Sequence, residues 1–524
     1  PRPYSSHGGV LWMKVPTRAR CRRPVWMTRP GLTITYGGSR VIQTRNLMSR
    51  ILLVKPRFAC FEFRSVTHPM GLMYIASTLR EAGHDVRIHD CVDDAETLDS
   101  LDKVLSTFKP GYVGISVIVS EQDATSRVVK SVKRIVPDAV VIFGGPWPSA
   151  NYEKSLREMG ADFVVVGEGE RTTPELIDAI EHGRPPSSVP GTASLNNGEV
   201  IFTFRPALTS IELDDLPLPA WDLIDKRLYD QRISIAGVGR RPYMSVVTSR
   251  GCPFRCAYCH QTMGKHFRPR SAQSVLTELA ELKSRYGLDE FEIIDDCFNL
   301  DRPRMHSILG GIQELFDDPK IHFPNGVRAD RLEPDDIRLM RKAGTRSACF
   351  AIETASPRLQ KMVHKNLDID AAILTIKTAV RCGIYSTGLF MLGFPTETYE
   401  EAESTVSLAT SLPLHRAYFM LVTPFEGTEL AVMAKDSLDS VRDRTDLQNL
   451  NYLTNSINIS AMSDVELRTV FRRSYSKFYL RPLRILRVIW RHPRKRSLIY
   501  YGMIALKKMF RRLPALDGKS EARG

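Results

Sequence analysis

The centre of the chain reads Arg250-Gly-Cys-Pro-Phe-Arg-Cys-Ala-Tyr-Cys-His260, directly after an apolar run from Tyr243 to Val247. The run predicts a buried strand, and three cysteines, Cys252, Cys256 and Cys259, follow it on one short loop. Thiolates are soft ligands, and a group of them selects zinc or iron–sulfur. A structural zinc site takes four protein ligands, usually in paired C-x-x-C spacing. Here the spacing is C-x3-C-x2-C with no second pair nearby. Three thiolates on a 4Fe–4S cluster leave one iron open to a small molecule. The competing reading is a zinc knuckle that borrows His260 or the distant Cys297.

On the amino-terminal side of this loop the text alternates strand and helix from Arg50 onward. Strands are expected at Ile51–Val54, Val86–His89, Tyr112–Ser116, Val140–Phe143 and Phe163–Val166, with amphipathic helices between them and a last helix after Pro174. Short apolar strands alternating with amphipathic helices predict a doubly wound parallel sheet, and five strands fit its flavodoxin-like form. Ligands of such sheets sit beyond the carboxyl ends of the strands. On the other side, strands are expected near Phe291–Asp295, His322–Val327, Ala348–Glu353, Thr387–Gly393 and Tyr418–Thr423, again with helices between. With the strand before the cysteine loop they make six βα units. The expected division is a leader over 1–47, a first domain over 48–184, a connection over 185–235 with a hairpin at Asn196-Asn-Gly198, a second domain over 236–435 and a helical region over 436–524.

The C-x3-C-aromatic-x-C loop, with Tyr258 in the aromatic place, resembles the radical S-adenosylmethionine (SAM) enzymes, and residues 50–430 resemble the cobalamin-binding subgroup of that family. The resemblance implies a partial (β/α)6 barrel behind the flavodoxin-like domain. It implies that Cys252, Cys256 and Cys259 hold a 4Fe–4S cluster whose open iron binds SAM and releases a 5′-deoxyadenosyl radical. Tyr258 would lie by the adenine. Asp295, in the string Asp295-Asp-Cys-Phe-Asn299, would face SAM or substrate, and Arg328 would pair a carboxylate through its planar fork. Glu353 would contact the SAM ribose or amino group. Gly393 and Pro395, in Gly388-Leu-Phe-Met-Leu-Gly-Phe-Pro-Thr-Glu397, would border the adenine. Ser116, Gly144, Gly145, Gly167, Glu168 and Gly169 would line the cobalamin site. The histidine motif D-x-H-x-x-G is absent and its place reads Asp90-Cys-Val-Asp-Asp-Ala95, so the cobalt would take no histidine from it. The implied activity is C-methylation of an unactivated carbon. The alternatives are a non-methylating radical reaction such as oxidative cyclisation and, from a different class, a non-catalytic cobalamin- or zinc-binding module. A small-molecule substrate and a reductant such as flavodoxin or ferredoxin are the implied partners.

Charge is unevenly spread. The chain carries +14 over 524 residues, but residues 1–47 hold nine Lys/Arg and no acid, and residues 464–524 hold seventeen against four acids. What lies between is acidic, which argues against a nucleic-acid partner. The acid-poor stretch 1–47 is expected to be a disordered leader upstream of a start at Met48, with a transit peptide as the other reading. The nine cysteines are too scattered for a disulfide scaffold and fit a reducing cytoplasm. In the basic tail, Ile485–Trp490 and Leu498–Phe510 are apolar stretches too short to span a bilayer. The tail fits either a helix lying on an anionic membrane or one packed on the barrel.

Overall fold

The computed structural model describes residues 48–56, 66–92, 98–260, 263–435, 457–498 and 502–503. The leader expected over 1–47, and all but a few residues of the expected helix Leu498–Phe510, lie outside them.

The first sheet contains β1 (Arg50–Lys55), β2 (Asp85–Asp90), β3 (Tyr112–Ser116), β4 (Val140–Gly144), β5 (Phe163–Val165), β6 (Thr192–Asn196) and β7 (Glu199–Phe202). The first five run parallel in the order β2-β1-β3-β4-β5, the flavodoxin-like order. The pleat explains why both faces are covered. Leu52, Val54, Val113, Ile115, Val141 and Phe143 point into one core, whereas Ile51, Leu53, Tyr112 and Ile142 point into the other. The stretch read as a connection adds two strands to this sheet, so seven stand where five were expected. β6 and β7 pair antiparallel beyond β5 and turn at Asn197 and Gly198, both at positive φ. That turn chemistry suits a two-residue hairpin. A second difference concerns Pro174. The helix expected after it spans Gly169–Glu181 and contains it. Burial of Leu176, Ile177 and Ala179 in the first sheet's core offsets the hydrogen bond that proline removes.

The second sheet is wholly parallel, with β8 (Met244–Val246), β11 (Glu290–Ile293), β12 (Lys320–Val327), β13 (Thr345–Glu353), β14 (Tyr385–Leu392) and β15 (Arg416–Leu421) neighbouring one another in chain order. Six sequential parallel strands with helices on one face form the partial barrel. A two-stranded ribbon, β9 (Ser249–Arg250) with β10 (Arg268–Pro269), closes the base of the cysteine loop. Cap chemistry sets the helix starts. Ser271, Asp301, Asp368 and Thr398 each accept a backbone N–H from the first turn of the following helix. Part of the basic tail packs on the barrel: helix Asp464–Tyr479 buries Leu467, Val470, Phe471, Tyr475 and Phe478, and the Tyr475 hydroxyl donates to the Phe419 carbonyl at 2.9 Å.

Candidate functional site

All six barrel strands deliver their carboxyl ends to one edge, and the cysteine loop follows the first of them. Gly251 gives the loop its sharp entry. Its φ is +79°, and a Cβ there would lie 2.2 Å from the His266 carbonyl oxygen. The loop is then tied down by backbone bonds, Ala257 N–H to Val363 O at 3.0 Å and Leu430 N–H to Ala257 O at 2.8 Å. Proton sharing divides the thiols into two pairs. Cys297 lies beside Cys252, and the two thiols share a proton so that the Cys252 pKa falls to about 7. Cys259 lies beside Cys256 in the same way and the Cys256 pKa falls to about 5, with Lys365 and Arg328 adding positive potential. Cys259 and Cys297 are pushed up in return. Thiolate character is what an iron–sulfur ligand needs. Cys297, far away in sequence, thus lies beside the loop, and nothing in its spacing marks it. Among the described residues, no three His, Cys, Asp or Glu side chains are gathered as a metal cage.

Tyr258 and Glu353 sit next to these thiols. Glu353 ends β13 at φ 70°, a left-handed conformation that a non-glycine residue holds only when its surroundings enforce it. Its carboxylate lies 3.7 Å from Lys365 Nζ. Burial pushes its pKa up and Lys365 opposes this. Glu353 Oε2 and the Tyr258 hydroxyl are both buried without a hydrogen bond of good geometry, though they lie close enough to each other and to Cys256 to shift one another's protonation. Orphaned buried polar atoms are costly unless something polar meets them. An amino, carboxylate or hydroxyl group of a small molecule beside Cys256 would do so, and the residues therefore fit a thiolate-held cluster with SAM. Lys365 had no motif to announce it. It comes from the left-handed turn His364-Lys-Asn366.

Other expected site residues are engaged within the protein. Asp295 is a buried anchor that accepts from Thr248 N at 2.6 Å, Thr248 Oγ1 at 2.5 Å and Ser249 Oγ at 2.6 Å, so it braces the strand end that carries the cysteine loop. Arg328 does pair a carboxylate, but that of Asp330 at 2.6 Å, while its guanidinium lies 3.9 Å above the Phe254 ring in the loop. Gly393 takes φ +97°, and its N–H and that of Phe394 both donate to the buried Glu397, which pins the turn through Pro395.

The cobalamin-side residues occupy the carboxyl edge of the first sheet. Ser116, Gly144 and Gly145 lie together there. Gly145 has φ +100°, and a Cβ on it would come within 2.9 Å of the Val117 carbonyl oxygen, so glycine here serves the close approach of the β4 turn to the end of β3. The Gly167 N–H donates to Ser149 Oγ at 3.0 Å. Gly169 instead serves packing, since a Cβ would lie 2.7 Å from the Ile75 side chain. Asp90 accepts from the Tyr229 hydroxyl at 2.5 Å, and Lys55 pairs with the fully buried Glu121 at 2.6 Å.

Glu168 turns away from that edge to the cysteine loop. Its carboxylate meets Arg250 at 2.8 Å and Arg268 at 2.8 Å, and Glu170 meets Arg250 at 2.6 Å. All four side chains are nearly or wholly buried. Burial alone would raise the Glu168 pKa, but Arg250 and Arg268 outweigh it and hold the carboxyl below its usual value. This clamp joins the β5 end of the first sheet to both strands of the ribbon under the cysteine loop. A cavity of about 660 Å³ opens beside it, bounded by Gly167, Phe204, Leu208, Met263 and His266.

Comparison with known proteins agrees with this division. Residues 56–177 match the B12 binding domain and residues 246–409 the Radical SAM superfamily. The chain is 33% identical to an uncharacterized methyltransferase of Pyrococcus horikoshii, with 81% of this chain and 90% of the relative covered. It is 27% identical to cytidylyl-2-hydroxyethylphosphonate methyltransferase of Streptomyces wedmorensis, over 82% and 90%. In fold it is similar to the cobalamin-dependent SAM radical enzyme OxsB, with a TM-score of 0.67 at 15% identity, covering 89% of this chain and 72% of that one.

Proposed function

The chain belongs to the radical SAM enzymes that carry a B12-binding domain, and on that footing we propose that it methylates an unactivated carbon of a small-molecule substrate. Both sequence relatives described above are named methyltransferases, which supports methyl transfer over a non-methylating outcome. When bound, the 4Fe–4S cluster and SAM supply hydrogen-atom abstraction, and cobalamin supplies the methyl group. The protein's part is placement. Cys252, Cys256 and Cys259 hold the cluster, and Cys259, with Lys365 and Arg328 behind it, favours the thiolate of Cys256. Tyr258 and Glu353 offer their unpartnered oxygens to SAM. Ser116, Gly144, Gly145 and Gly167 receive cobalamin along the sheet edge. The observation that carries the reading is the clamp of Glu168 and Glu170 on Arg250 and Arg268, because it registers the carboxyl edge of one sheet against the cluster loop of the other.

Electrons would come from a low-potential carrier of the flavodoxin or ferredoxin kind. A reducing compartment suits the chain, as none of the described cysteines forms a disulfide. No described helix is long and apolar enough to cross a membrane. Anaerobically reconstituted protein given SAM, cobalamin and a reductant should release 5′-deoxyadenosine, and with substrate also S-adenosylhomocysteine and a methylated product. Absence of SAM cleavage from a fully loaded cluster defeats the assignment. Cleavage with a modified but unmethylated product defeats the methyl transfer alone.

A further inference from the structure

The helix Pro482–Arg491 is built inside out for a protein in water. Arg484 and Arg487 face the body of the protein, while Arg491 at the end is exposed. Arg484 is buried, donating to the carbonyls of Thr410 at 2.6 Å, Leu412 at 3.1 Å and Leu414 at 3.3 Å, with its guanidinium 3.7 Å from the Phe478 ring. Arg487 is half-buried, and Arg491 lies over Gly383. The apolar side chains point outward instead. Leu483 is 78% exposed, Leu486 62% and Trp490 76%, and Ile485 and Ile489 stand beside them. Positions 483, 486 and 490 share one face of a 3.6-residue helix, so the five make a continuous stripe. Scattered exposed leucines are ordinary, but a contiguous stripe of this kind marks a contact surface.

Charge identifies the partner. Arg481, Arg491, Lys495 and Arg496 are exposed around the stripe, and no acidic residue occurs between Glu466 and Asp517. An apolar stripe with a tryptophan at its end and cations along its rim has the chemistry of an interfacial helix on an anionic bilayer. An apolar protein surface would explain the leucines but not the uniform cationic rim.

We propose that Pro482–Arg491 docks the protein peripherally on anionic membranes, with Leu483, Leu486 and Trp490 in the acyl boundary and the flanking cations at the headgroups. The helix rests on the segment leading into β15, at the amino ends of the barrel strands. The docking face is therefore opposite the cysteine loop, so it anchors the enzyme and leaves the cofactor site open. This inference is independent of which carbon is methylated.

The test is flotation of the full chain with vesicles of phosphatidylglycerol and phosphatidylcholine, compared with phosphatidylcholine alone. The chain should float with the anionic vesicles and be released by high salt. The double variant Leu486→Ser/Trp490→Ser should lower its partition constant by roughly 100-fold, the loss expected for two large apolar side chains. Both side chains are exposed, so SAM cleavage by that variant should be unchanged, which separates lost docking from lost folding. Trp490→Phe should still float but lose part of the blue shift in tryptophan emission that vesicles cause. Failure to float, equal flotation on uncharged vesicles, or flotation indifferent to the double substitution would each overturn the proposal. So would a concentration-dependent dimer that the double substitution abolishes in protein that does not bind vesicles.

Discussion

Replacing Arg250 by Met should separate two outputs that the enzyme normally couples. Arg250 is the shared cation of the clamp, bonded to Glu168 at 2.8 Å and to Glu170 at 2.6 Å. When it is removed, Glu168 keeps Arg268 at 2.8 Å, but Glu170 loses its cation at a position only 5% exposed. Breaking a buried pair from one side costs about 3–5 kcal/mol, mostly through the charge left behind. That is roughly two to three and a half orders of magnitude in the equilibrium holding the two domains in register. Arg268→Met should cost less, because Glu168 retains Arg250 and no carboxylate is stranded. Arg250→Met/Glu170→Gln should recover part of the loss, since the stranded charge goes with the arginine. The assay is anaerobic turnover with 5′-deoxyadenosine and methylated product quantified together, beside urea unfolding. In Arg250→Met the product formed per 5′-deoxyadenosine should fall sharply while SAM cleavage persists, provided iron content is unchanged. A variant that keeps the wild-type product ratio, or a double variant no better than the single, refutes the idea that the clamp sets the register.

Three further expectations follow from the site. Cys252→Ala should abolish 4Fe–4S assembly, whereas Cys297→Ala should retain full iron and sulfide; loss of metal in Cys297→Ala would instead favour a four-cysteine site. Gly251→Ala forces a side chain against the His266 carbonyl at a left-handed φ, so it should destabilise by about 1–3 kcal/mol and lower iron loading, and a fully loaded variant contradicts this. Glu397 is held by burial at a pKa of about 7, above its ordinary 4.5. The folded protein thus keeps a proton that the unfolded chain releases, and this group's contribution to stability falls as pH rises from about 4.5 to 7, by about 3 kcal/mol. Glu397→Gln should flatten that part of the pH dependence of the unfolding midpoint, and an unchanged slope would show that the carboxyl ionises freely.

The parallel strands of both sheets were legible in residue order, because strands buried on both faces write themselves as apolar runs between amphipathic helices, whereas the antiparallel pair β6–β7 that extends the first sheet reads there as a connection. The sequence by itself also marked Cys252, Cys256 and Cys259, since all three lie on one loop and their spacing is the signal. It pointed to Glu353, whose left-handed backbone and unpartnered oxygen were then visible only in three dimensions. Residues meeting across long separations were not legible in this way. Lys365 reaches Glu353 from a different loop, Cys297 lies beside Cys252 from the next strand, and Asp295 and Arg328 each meet partners within the protein. Glu168, expected at cobalamin, also holds Arg250 and Arg268 across the two domains. The tertiary structure alone decided these pairings, and likewise which face of Pro482–Arg491 points outward. A buried charge settles wherever an opposite charge or hydrogen-bond donor is brought to it, and that is a property of the assembled fold.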